Sequence, residues 1–151
     1  VETETVLVRM CLGEGDCREG EMFLRPSVVV ASGVETLCDR LNDRDSFVPL
    51  RSEGTTLLVG KVQIRYACMP CERFPALPEG ATVHSVRLEL DSGDAIGGAL
   101  VSLSMPAAMR RALDVMNAEH EGPFVELRNR QGSFAINRRF VRTVREVEGE
   151  G

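Results

Sequence analysis

The sequence predicts an α+β fold of two tandem small β units. Each unit runs strand, strand, helix, strand, strand and forms a bent sheet or partly open small barrel. Three observations lead there. Two stretches of the 151-residue chain, roughly residues 6–66 and 83–146, match one another in an ordered series. Within each stretch, alternating apolar segments are separated by clusters of Gly, Asp and Ser. Each stretch also carries one short apolar stripe at helical spacing.

The matches set the order of the elements. Phe47-Val48-Pro49-Leu50-Arg51 corresponds to Phe124-Val125-Glu126-Leu127-Arg128, and Thr56 to Lys61 corresponds to Ser133 to Arg138. Val34, Leu37, Cys38, Leu41 and Asn42 correspond to Met109, Ala112, Leu113, Met116 and Asn117. Gly15-Asp16 and Gly20 correspond to Gly93-Asp94 and Gly98. The first strands are expected over Val6–Leu12 and Val83–Leu90. Turns at Gly13 to Asp16 and Asp91 to Asp94 supply residues that tolerate positive φ. Second strands follow near Glu21–Arg25 and Ala99–Leu103. Ser32 with Glu35 forms a capping-box pattern ahead of the first apolar stripe, and Pro106 suits the first turn of the second helix. Lys61 to Tyr66 alternates and is expected as the closing strand of the first unit, with Val62, Ile64 and Tyr66 inward. The division is then 1–66 for the first unit, 67–82 for a Pro- and Cys-containing linker, 83–147 for the second unit and 148–151 for a polar tail.

Asp39-Arg40-Leu41-Asn42, Phe47-Val48-Pro49-Leu50 and Leu57-Leu58-Val59-Gly60-Lys61 resemble an uncharacterised bacterial family of small β domains. Asp114-Val115-Met116-Asn117, Phe124-Val125-Glu126-Leu127 and Ile136-Asn137-Arg138 carry the same pattern. The resemblance implies a small barrel similar to Sm-like or SH3-like domains, and it brings no activity and no catalytic residues. The first copy departs from it at Gly60, where the pattern has Asn.

Composition narrows the function classes. Eighteen Lys and Arg against 23 Asp and Glu leave a net charge of -5, so bulk electrostatics favour neither nucleic acid nor an anionic membrane. Every apolar run is too short for a membrane helix. Five cysteines do not make a fully paired secreted framework, and a cytoplasmic location is expected.

The cysteines are the most distinctive chemistry. Cys11 and Cys17 flank the first turn, and Cys68-Met69-Pro70-Cys71 opens the linker. Two pairs from two chain segments suit a four-thiolate zinc site at Cys11, Cys17, Cys68 and Cys71, although five residues between the first two is wider than the usual two to four. Ordinary packing of small apolar thiols and disulfide pairing are the competing readings. Cys38 lies on the apolar stripe and belongs to the core. No nucleophile elbow, phosphate loop or dinucleotide fingerprint is present, so no catalytic residue is assigned and no enzyme is expected. The favoured function is a non-enzymatic protein-interaction or scaffold module with a protein partner. The alternative is a single-stranded nucleic-acid binder, zinc-stabilised or not, that uses an arginine face at Arg128, Arg130, Arg138, Arg139 and Arg142.

Overall fold

A computed structural model describes residues 4–13, 15–25, 36–70, 77, 80–102, 111–118 and 121–147. The first half contains β1 (Glu4–Gly13), β2 (Asp16–Leu24), α1 (Leu37–Leu41), β3 (Phe47–Ser52), β4 (Thr55–Gly60), a 3-10 turn (Lys61–Gln63) and β5 (Tyr66–Met69). The second half contains β6 (Thr82–Leu90), β7 (Ala95–Ser102), α2 (Ala112–Asn117), β8 (Phe124–Asn129), β9 (Gly132–Asn137), a 3-10 turn (Arg138–Phe140) and β10 (Val141–Glu146). The two halves therefore pass through the same order of elements.

The α+β expectation is overturned. The fold is nearly all β, with ten antiparallel strands in one continuous sheet rather than two separate ones. Among the described residues the α-helices have only five and six residues. A stripe of three or four apolar residues supports little more than one turn, too little to build a helical layer. The first helix starts at Leu37, after Thr36. The Thr36 hydroxyl accepts from the Asp39 amide at 3.0 Å, and the Asp39 carboxylate accepts from the Thr36 amide at 3.2 Å. The Ser32–Glu35 box, Pro106 and Met109 lie outside the described residues.

The closing strand of the first half is also displaced from its expected place. Lys61–Gln63 is a 3-10 turn, and Val62 points to solvent. The Lys61 ammonium explains the turn: it is buried against the Asp43 carboxylate and the Arg40 carbonyl, so the chain cannot run straight on as an edge strand. The strand comes later, and it takes in Ala67, Cys68 and Met69 from the expected linker.

The sheet runs in the order β10-β6-β7-β8-β9-β5-β1-β2-β3-β4. In each half the fifth strand lies beside the first, followed by the second, third and fourth. The halves join where β5 pairs with β9, in the register Tyr66 with Ile136, Ala67 with Ala135, Cys68 with Phe134 and Met69 with Ser133. Two apolar clusters fill the fold and are shared across this join. Phe124 and Ala135 of the second half belong to the cluster of Val8, Met10, Met22 and Leu50. Tyr66 and Cys68 of the first half pack on the cluster of Leu88, Leu100, Leu127 and Ile136. Gly20 and Gly98 allow the second strand of each half to approach the third. A Cβ on Gly20 would lie 2.7 Å from the Arg51 carbonyl oxygen, and one on Gly98 2.5 Å from that of Arg128.

Candidate functional site

The five candidate arginines do not form one face. Arg128 and Arg130 sit at the tip of the β8–β9 hairpin, and Arg138, Arg139 and Arg142 at its other end and on β10. Arg128 is largely buried and pairs with the Glu126 carboxylate at 2.5 Å. Arg138 donates to the carbonyls of Gly122 and Val115, tying α2 to the end of β9. The Arg139 guanidinium lies 5.8 Å from the centre of the Phe140 ring. The other face of that region is held by Arg65, which lies 4.5 Å from the same ring centre and makes a bidentate pair with Asp91 at 2.8 and 3.0 Å. The Arg65 guanidinium keeps the Asp91 carboxyl below the usual carboxylate range. Much of the local arginine is thus engaged in holding the backbone and the rings.

Cys11 and Cys17 are cross-strand partners at the end of the β1–β2 hairpin and are joined as a disulfide. Cys68 lies on β5, opposite Arg9 of β1, and Cys71 lies outside the described residues. A disulfide offers no thiolate to a metal, so zinc binding by this set requires the Cys11–Cys17 bond to be reduced. Among the described residues no three His, Cys, Asp or Glu side chains converge on a metal-sized site. Cys38 is buried on α1, where its thiol donates to the Phe124 carbonyl at 3.2 Å. Burial, with Glu126 and Asp39 nearby, pushes that thiol far above its ordinary range.

The most unusual surface is at the two outer edges of the sheet, β4 and β10. Their residues hold the same places in the element order as residues buried at the β5–β9 join. Phe124 at the start of β8 is 2% exposed, and Phe47 at the start of β3 is 58% exposed. Ala135 on β9 is 0% exposed, and Leu58 on β4 is 64% exposed. Cys38 on α1 is 8% exposed, and Leu113 on α2 is 58% exposed. Ala67 on β5 is fully buried, while Val144 on β10 is exposed enough to stand out among the apolar residues.

No known protein family, curated protein or solved structure matches the chain.

A groove of about 630 Å³ runs along the β10 edge beside α2, lined by Met116, Asn117, Val141 and Val144 together with three of the candidate arginines, Arg138, Arg139 and Arg142. At the matching place in the first half Phe124 and Ala135 of the second half pack in, leaving a smaller cavity of about 130 Å³ beside Cys38, Asn42 and Phe124, and the Asn42 amide clasps the Phe124 backbone from both sides. Asn42 Oδ1 accepts from the Phe124 amide at 2.8 Å, and Asn42 Nδ2 donates to its carbonyl at 3.0 Å. Asn117, in the corresponding place on α2, is exposed and its amide has no partner among the described residues. The sequence reading singled out Phe47, Leu58, Asn42 and Asn117 as matching positions, yet not as a surface. The pattern of matches contained no sign of which strand pairs with which.

Proposed function

We propose that this chain is a non-enzymatic protein-interaction module, built by tandem duplication of a small β unit, that binds by adding a strand to its sheet edge. One observation supports it above all: a filled β5–β9 join in a sheet whose two outer edges, unpaired among the described strands, present the corresponding residues. The β4 strand, Thr55-Thr56-Leu57-Leu58-Val59-Gly60, has no charge, no bulge and no Pro. Edges left in that state are prone to pair with another strand, and proteins that must stay alone usually blunt them. An exposed apolar row along such an edge gives a partner side chains to pack against as well as backbone groups to bond. No helix among the described residues is long and apolar enough to cross a membrane.

The test is affinity capture from the protein's native extract with wild-type and Leu58→Lys baits, alongside fluorescence anisotropy with single-stranded RNA and DNA at low salt. Proteins retained by wild type and lost with Leu58→Lys support the reading. Capture indifferent to Leu58, together with oligonucleotide binding that weakens with salt, would favour the arginine-based alternative instead.

A further inference from the structure

We propose that a second copy of this chain occupies the open edges: β10 of one chain adds antiparallel to β4 of the next, in the register used between β5 and β9. The proposal rests on the edge-binding reading above and names its partner.

The backbone at both edges is in phase for this pairing. The Lys61 amide donates to the Ser46 carbonyl at 2.9 Å, which turns residues 61, 59 and 57 of that stretch towards β3 and leaves Leu58 and Gly60 facing outward. The Arg138 amide donates to the Pro123 carbonyl at 2.8 Å, so Ala135 and Asn137 have the same phase and face β5. At the opposite edge the Val147 amide donates to the Ser85 carbonyl at 2.9 Å. Val147, Arg145 and Thr143 then face β6, and Val144 and Glu146 face outward. The join places Ala67 opposite Ala135 and Cys68 opposite Phe134. Carried to the outer edges, it places Val144 opposite Leu58 and Arg145 opposite Leu57. The bond from the Asn137 amide to the Arg65 carbonyl, 2.9 Å at the join, becomes Gly60 to Arg142.

The side chains follow the same correspondence. Phe47 of the incoming chain enters the groove between α2 and β10, as Phe124 sits against α1. The Asn117 amide meets the Phe47 backbone, as Asn42 meets that of Phe124. Leu113 is covered where Cys38 is covered. Val144 and Leu58 are larger than the two alanines they replace, while Leu57 and Gly60 are smaller than Phe134 and Asn137. The groove beside β10 supplies room for the larger pair. A different protein would have to bring its own strand of matching register, whereas this chain already contains both halves of the contact. Because the two surfaces differ, the interface is head to tail, and copies add in series to close a ring or extend a filament.

Sedimentation and native mass spectrometry of the purified full chain test this, using Leu58→Lys to block β4 and Val144→Lys to block β10. Both residues are exposed, and unchanged circular dichroism and melting temperature would show that the variants fold. Wild type should form assemblies that dissociate on dilution. Each variant alone should associate about 30-fold more weakly or worse, the loss expected when a central apolar anchor is removed. An equimolar mixture should form a 1:1 heterodimer, because each variant keeps the edge that the other lacks. Leu58→Pro, which deletes an outward N–H, should behave as Leu58→Lys does. Wild type that stays monomeric up to about 100 μM, a hundred times a micromolar Kd, would overturn the proposal. So would association unaffected by either substitution, or a mixture without heterodimer. If pure protein is monomeric but Leu58-dependent capture of another protein persists, self-assembly fails and the edge-binding reading stands. If the capture is also lost, both fail.

Discussion

Replacing Asn42 with Ala should destabilise the join between the halves and be felt across the whole fold. Phe124 opens β8, and the phase of the β8–β9 ladder turns its N–H and C=O away from β9. The β7–β8 ladder reaches Glu126, so no strand among the described residues receives them. The Asn42 amide stands in for the missing strand, one oxygen for the N–H and one N–H for the oxygen. Removing it leaves the Phe124 N–H without its partner beside a buried ring, at about 1–3 kcal/mol, while Cys38 still donates to the carbonyl. Loss of the second bond adds about 0.5–1 kcal/mol. A total of about 1.5–4 kcal/mol corresponds to a fall in melting temperature of about 3–16 °C for a chain of this size. Urea titration and thermal melts on dilute protein measure it. Gly122→Ala should act on the same clasp, since its Cβ would lie 2.4 Å from Asn42 Cγ at a backbone φ of 110°. Asn117→Ala is the control: its amide is exposed and has no partner among the described residues, so it should cost less than about 0.5 kcal/mol. An Asn42→Ala loss no larger than the Asn117→Ala loss would refute the reasoning.

Other expectations follow from single sites. Gly98→Ala should cost about 1–3 kcal/mol by urea titration, because the new methyl meets the Arg128 backbone at 2.5 Å as well as the Leu127 side chain; an unaltered midpoint would show that β7 and β8 can separate freely. Burial opposes ionisation of Asp43, but hydrogen bonds from Lys61, the Asp45 amide and Arg40 outweigh it and lower its pKa from 3.8 to about 2. The folded value lies below the unfolded one, so the group stabilises the fold above about pH 4 and loses that contribution as pH falls towards 2, about 2 kcal/mol at most. Asp43→Asn should flatten the stability profile over that window, and an acid limb identical to wild type would contradict it. Cys38 should resist alkylation until the protein unfolds, since burial keeps its thiol protonated; rapid labelling in native buffer would count against the packing described. Protein with the Cys11–Cys17 bond intact should carry no near-stoichiometric zinc at the four-cysteine set, which metal analysis before and after reduction checks.

A formed Cys11–Cys17 bond also bears on location, because disulfides persist in oxidising compartments. Peptide mapping of the protein from its native source would measure the state of that bond.

The sequence by itself determined the local rhythm of the chain. Gly and Asp in the turns, alternation along Val83 to Leu90, and the Leu37-Cys38-Leu41 stripe each act within a few residues, so hairpins and short helices could be read directly. Phe47 and Phe124 both open a third strand, as their aligned surroundings indicated. Only the tertiary structure decided what lies between distant segments. Lys61 to Tyr66 alternates like a strand, but burial of the Lys61 ammonium beside Asp43 turns the chain, and the strand forms later. The pairing of β5 with β9 merges the halves into one sheet, which alternation cannot specify because period-2 patterning names a face and not a neighbour. That pairing also decides the fate of like residues: Phe124 is covered and Phe47 is bare because the chain contains one join and two ends.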